Sequence, residues 1–229
     1  MHQYINRNKI YFYFLLFLLL STISNQTLLS NFEQNFLIKN IVIKLDKPEL
    51  NSRVSVKLSY LNDKNIFFID KKNILKNLEK VNYLENIKIK KNYPSTIIVS
   101  ANKTNLIATT FMNQKKYYIG ENNRFILVQD ININENLPII FGKFNISEFI
   151  KLKKELNEQK INYKSITKYY FHKNKRWDLY YPNNILVMLP SKNVANAINL
   201  YKNFKKENHI KPNSIIDLRI ANRLVLKNE

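Results

Sequence analysis

The sequence predicts an α+β chain in three parts: an apolar N-terminal segment, a strand–helix–helix–strand–strand unit, and a mainly antiparallel β unit with flanking helices. Three observations carry this. An apolar run at residues 10–20 follows Arg7 and Lys9, with no acidic residue before Glu33. Two helical stripes then lie between stretches that alternate apolar and polar residues, within roughly 70 residues. From Thr104 onward short period-two stretches separated by turns take over, broken by two further helical stripes.

The apolar segment opens the chain. Positive charge on its N-terminal flank holds that end in the cytoplasm and sends the remainder outward. Its strongest run spans 11 residues, the length of a signal-peptide core, and including residues 21–29 reaches the length of a spanning helix. Two readings stand: an uncleaved anchor, or a leader cut after Ser24.

In the first exported unit, "NFLIKNIVIKLDKPEL" supplies a strand with Ile41 and Ile43 on one face. Asp46 then reads as a helix N-cap, with Pro48 in the first turn and Glu49 three residues after the cap. Leu50, Val54, Leu58 and Leu61 form one helical stripe. Asp70 caps a second helix whose Ile74, Leu75 and Leu78 face inward. "NIKIKKNYPSTIIVSANKT" reads as a hairpin turning at Asn92–Tyr93–Pro94–Ser95. Three strands backed by two one-sided helices satisfy every stripe.

The second unit begins near residues 102–106. "NLIATTF", "KKYYIG" and "RFILV" are short strands, and "LPIIFGKF" leads into a helix at 146–159 with Phe149, Leu152 and Leu156 inward. "SITKYYF" precedes the hairpin "KRWDLYYPNNILVMLP", which turns at Pro182–Asn183–Asn184 with Trp177, Leu179, Tyr181, Ile185, Val187 and Leu189 alternating inward. A last helix carries Val194, Ala197, Ile198, Tyr201 and Phe204 at helical spacing. "SIIDLRIANRLVLKNE" reads as the final strand, its outer edge free for another chain. Period two puts Ile216, Leu218 and Ile220 on the core face and Asp217 and Arg219 on the other. Arg223 and Leu224 fall on a returning stretch.

Composition sets limits on function. With 45% apolar and 13% aromatic residues the chain buries a core and is not disordered. Two glycines rule out Gly-rich phosphate loops, and the absence of cysteine removes disulfides, thiolate metal sites and a Cys nucleophile. Of the 37 basic residues six are Arg, and the lysines spread as doublets at 71–72, 90–91, 115–116, 153–154 and 205–206. That pattern reads as solvation and AT-rich coding for a net charge of +20, with anionic lipid head groups as the functional alternative. His2, His172 and His209 have no ligand spacing, and no serine-hydrolase or zinc-protease motif appears. Tyr169, Tyr170, Phe171, Trp177, Tyr180 and Tyr181 read as core more economically than as a base-stacking platform. No catalytic, cofactor or metal residues are assigned, and the expectation is a protein that is not an enzyme.

"YPSTIIVSANKT", "LPIIFGKF", "KRWDLYYPNNILVMLP" and "IIDLR", in that order behind an N-terminal anchor, resemble the bacterial cell-division family FtsQ/DivIB. The resemblance runs from about residue 8 to 227. It implies a short cytoplasmic tail and a single transmembrane helix at 1–30, with Ile10, Phe14, Leu18 and Leu20 in the membrane. It further implies a POTRA domain at 31–103 and an FtsQ-type β domain at 104–229, both periplasmic at the division septum of the inner membrane. The implied partners are FtsB and FtsL, bound by β-augmentation at the C-terminal edge. The implied contacts are Leu218, Arg219, Ile220, Ala221, Arg223 and Leu224, with Arg219 at the basic contact position of the family; the alternative for Arg219 is a cross-strand pair with Asp178 or Asp217. Leu45-Asp46, Lys103, Asn123, Pro190 and Ser191 depart from residues common among relatives. The alternative is another exported POTRA-containing protein of envelope assembly or secretion, or a wall-associated protein.

Overall fold

In the computed structural model, which describes residues 7–21, 34–131 and 136–228, the strands form one sheet of three and one of nine. Ahead of them lies α1 (Arg7–Ser21), fifteen residues with no side chain buried on any face. No helix among the described residues is long and apolar enough to cross a membrane. The rest of the expected spanning stretch, residues 22–30, lies outside the described residues.

The first unit has the order read from the sequence: β1 (Asn40–Leu45), α2 (Asn51–Leu58), α3 (Lys71–Leu78), β2 (Leu84–Asn92) and β3 (Thr96–Lys103). The helices carry the chain over one face, and the β2–β3 hairpin then inserts β3 in the middle, parallel to β1 and antiparallel to β2. Leu50, Val54, Leu58 and Leu61 are all buried, as their spacing requires, against Ile97 and Val99 of the central strand. Asp70 caps α3 by accepting the Lys72 N–H at 2.9 Å. Asp46 does not cap a helix. A 3₁₀ turn at Pro48–Leu50 precedes α2, and the Asp46 carboxylate instead accepts the Lys103 N–H at 2.7 Å. Its charge is used to join the ends of β1 and β3.

The second unit follows as β4 (Leu106–Met112), β5 (Lys115–Gly120), β6 (Phe125–Leu127), β7 (Ile139–Phe141), α4 (Ile146–Glu158), β8 (Lys168–Phe171), β9 (Trp177–Tyr180), β10 (Leu186–Met188), α5 (Val194–Glu207), β11 (Ser214–Asp217) and β12 (Val225–Asn228). Their spatial order is β12-β11-β10-β9-β8-β7-β4-β5-β6. Five neighbouring pairs are antiparallel and three parallel, so the sheet is mixed, richer in antiparallel pairs. Two of the parallel pairs arise where a helix crosses over between neighbours, α4 between β7 and β8 and α5 between β10 and β11.

Both helices cover one face, where Phe149, Leu152, Tyr169, Trp177, Val187, Ile198 and Ile216 form the core. Tyr170, Asp178, Met188, Asp217 and Val225 are successive cross-strand partners, so the pleat places them in one row on the other face. The six aromatics of the candidate stacking platform divide accordingly. Tyr169, Phe171, Trp177 and Tyr181 are buried, while Tyr170 and Tyr180 are exposed.

Candidate partner-binding edge

The free end of the large sheet is built by the last crossover. Helix α5 brings the chain back to lay β11 beside β10, and Leu218 N–H donates to Met188 O at 3.0 Å. Leu218 is a core residue, 1% exposed. Beyond it the backbone leaves the sheet. Ala221 and Asn222 form a turn, Asn222 with φ of 56°, and Arg223 N–H donates to Ile220 O at 3.2 Å. Asparagine accepts this left-handed geometry better than most residues. Leu224 packs half-buried against the core, and β12 then runs back antiparallel along β11.

This corrects the reading of 214–229 as one strand. The strand ends at Asp217, and the sheet edge is β12. Ile220 is not on the core face; it sits in the turn at 56% exposure. The reversal that puts Arg223 and Leu224 on a returning stretch lies at Ala221–Asn222, and alternation on both sides hid where the strand before it ends.

Asp217 and Arg219 do share a side, and they use it on each other. Arg219 Nε donates to Asp217 Oδ1 at 2.8 Å and Nη2 to Oδ2 at 2.6 Å, while the Arg219 backbone N–H also reaches Oδ1 at 3.0 Å. This fork holds the Asp217 carboxyl below the usual carboxylate range, the Arg219 side-chain hydrogen bond being the largest cause. Arg219 is thus half-exposed but already paired within its own turn.

Hydrogen-bond parity fixes which backbone groups face outward. Leu218 N–H points to β10, so Ile216 does also, and Ile215 and Asp217 point to β12. Their register partners Lys227 and Val225 therefore face inward. Leu226 and Asn228 turn their backbone groups to the open edge, which no strand covers among the described residues.

Beside the hairpin lies a groove of about 1310 Å³ at the carboxyl ends of β7, β8, β10 and β11. Lys143, Lys173, Arg176, Lys192, Arg219 and Arg223 line it, and no carboxylate does. Gly142 forms part of its floor with φ of 98°, and a Cβ there would meet Phe171 O at 2.1 Å, so only glycine lets β7 end this close to β8. Under one wall, Asp178 Oδ2 lies 2.6 Å from His172 Nε2 and 3.7 Å from Arg176 Nη2. A carboxylate only accepts, so His172 donates from Nε2. Of the six sequence-derived contact residues, Arg219, Ile220, Ala221 and Arg223 meet at the exposed turn, whereas Leu218 is sealed in the core and Leu224 is half-sealed. No group of three or more His, Cys, Asp or Glu side chains could hold a metal ion among the described residues.

The site is therefore an exposed strand edge beside a groove whose charged lining is basic, on an α+β scaffold. Residues 111–219 match the family described as cell division protein FtsQ/DivIB, C-terminal, in agreement with the resemblance read from the sequence. Among solved structures it is similar to the major extracytoplasmic domain of the trans isomer of the bacterial cell division protein DivIB from Geobacillus stearothermophilus. The two are 13% identical over 48% of this chain and 98% of that one, with a TM-score of 0.32. No curated protein matches.

Proposed function

We propose that this chain is a scaffold of the division septum, fixed to the inner membrane by residues 1–30 with its N-terminus cytoplasmic and both folded units periplasmic. Residues 31–103 act as a POTRA domain and 104–229 as the FtsQ-type β domain. The β12 edge receives a strand from a division partner of the FtsB type, with FtsL in the same subcomplex. No catalysis or cofactor is involved. The observation that carries this reading is the outward backbone of Leu226 and Asn228 on an uncovered edge. Main-chain bonds there supply affinity, and the basic turn and groove select acidic side chains on the partner. The match of residues 111–219 to a cell-division family supports the setting. The exposed apolar surface of α1 supports the anchor, since a helix apolar all round is stable only when buried or in lipid.

Two proline variants test it. Leu226→Pro removes an N–H aimed at the open edge, so partner capture falls at least tenfold while the melting temperature stays within a few degrees. Lys227→Pro removes an N–H bonded to β11, so it destabilises the hairpin and lowers capture only with the folded fraction. If Leu226→Pro binds the partner's periplasmic segment like the unmutated chain, the strand-addition reading is wrong.

A further inference from the structure

The end of the first unit nearest the apolar segment carries a group of exposed aromatic rings. Three stretches meet there: residues 36–40, the loop 63–68 and the turn joining β2 to β3. Ile38 N–H donates to Lys64 O at 2.9 Å, Ile66 N–H to Phe36 O at 2.9 Å, and Lys39 N–H to Ser95 O at 3.0 Å. The Phe36 ring lies 4.7 Å from Phe67, and Phe67 stacks on Tyr93 at 5.1 Å. Phe67 and Tyr93 are half exposed, and Phe68 beside them is 88% exposed. Scattered apolar side chains on a surface need no explanation, but three neighbouring rings with so little cover mark an interface.

Lysines lie on the same stretches of chain as the rings. Lys91 Nζ donates to Phe67 O at 3.2 Å, Lys64 Nζ lies 5.3 Å from the Tyr60 ring, and Lys71 and Lys72 follow the loop directly. Of the two acids in this part of the sequence, Asp63 and Asp70, the second is engaged as the cap of α3.

Position decides what such a surface meets. Strands β1 and β3 both run away from this end towards the second unit, and β3 alone spans about 25 Å in that direction. The rings therefore lie on the side remote from the β12 edge. They also lie within tether range of α1, because the 13 steps from Ser21 to Gln34 reach at most about 45 Å.

We propose that Phe67, Phe68 and Tyr93 form a membrane-surface contact, entering the headgroup–acyl boundary of the bilayer that holds α1, with Lys64, Lys71, Lys72 and Lys91 on anionic head groups. Aromatic side chains favour that boundary and lysines extend from it to phosphate, so the two residue types complement one another. This inference rests on the anchor reading above. Its consequence is an upright first unit, which holds the basic groove and β12 edge away from the lipid.

Fluorescence quenching in vesicles tests it with the full chain. The protein is reconstituted in phosphatidylethanolamine–phosphatidylglycerol vesicles with or without brominated acyl chains, carrying a tryptophan at position 68, 17 or 56. Trp177, buried in the second unit, supplies the constant background. Phe17→Trp reports insertion of α1, and Val56→Trp, on an exposed face of α2, reports any indiscriminate contact. The expected result is at least twofold quenching of the added emission at 17 and 68, and none at 56. Quenching at 17 without quenching at 68 overturns the surface contact and leaves the anchor standing. Absence of quenching at 17 overturns the anchor and the inference with it, and equal quenching at 56 and 68 overturns the oriented contact. A benzophenone at position 68 in dividing cells that yields protein adducts and no lipid adducts assigns the rings to a protein partner instead.

Discussion

At one end of the nine-stranded sheet β6 lies against the first unit, and at the other β12 faces solvent. Both are edge strands with the same unsatisfied backbone groups, and the chain treats them in opposite ways. Ile126 of β6 is wholly buried in the core of the first unit, together with Leu106 and Tyr118 from the neighbouring strands. Asn82 Nδ2 donates to the Phe125 carbonyl at 2.9 Å, Arg124 reaches Glu79 O, and Arg53 reaches Gln129 O at 2.9 Å. On β12, Val225 and Leu226 remain exposed. An uncovered edge invites pairing with other chains, and among the described residues the fold closes one edge with its own neighbouring unit and leaves the other open, the contrast on which the proposed strand addition rests.

The largest effect that sharpens this contrast is on stability. Ile126→Ala empties a site in a core shared by both units and costs about 2–5 kcal/mol. Leu226→Ala, near the middle of the other edge strand, stays within about 0.5 kcal/mol. Chemical denaturation of the two variants measures both. If Leu226→Ala costs as much as Ile126→Ala, β12 is covered in solution and the contrast is gone.

How much of this was legible beforehand depended on where period and capping agreed. The stripe Leu50, Val54, Leu58 and Leu61 named the buried face of the first unit, because no other placement hides four apolar residues at that spacing. Trp177, Leu179, Val187 and Leu189 did the same for the second, and the family stretches followed the folded order. Asp46 misled because an Asp before Pro-Glu offers a cap locally, while the Lys103 N–H that claims it lies 57 residues away. The parallel pairings were illegible for the same reason: strand neighbours are chosen by crossovers over α4 and α5, which periodicity does not encode. At the candidate edge the pairing of Arg219 with Asp217 was legible as the alternative to a partner contact, but the exposure of Ile220 depended on where the strand stopped. A period of two cannot show a strand end when the following turn also alternates.

A smaller effect tests how the β6 edge is closed. Asn82→Ala leaves the Phe125 carbonyl without its donor, and the loss of one such bond costs about 1 kcal/mol. The expected signature is local: faster amide exchange at 125–127 with little change at 225–228. Faster exchange at both edges means that they open as one unit, and the contrast between them is then structural but not energetic.

The smallest effect concerns the turn that leads into β12. Hydrogen bonds from Arg219 hold the folded-state pKa of Asp217 below its unfolded value, so the pair contributes fully above the ordinary carboxylate range and is lost as pH falls through the folded value. Because the Arg219 side chain is half exposed, solvent screens the pair and its contribution is well under about 1 kcal/mol. Amide exchange at Val225, whose backbone faces Asp217, is the sensitive measure once corrected for the intrinsic rate. Arg219→Gln raises it severalfold at pH 7, and the difference closes only as pH falls below the ordinary carboxylate range and through the lowered folded value of Asp217, where that carboxyl is protonated in both proteins. A difference that survives in acid means that Arg219 braces the turn through packing and not through charge. The edge would then keep its shape at low pH, and acid would weaken partner binding only through charges on the partner.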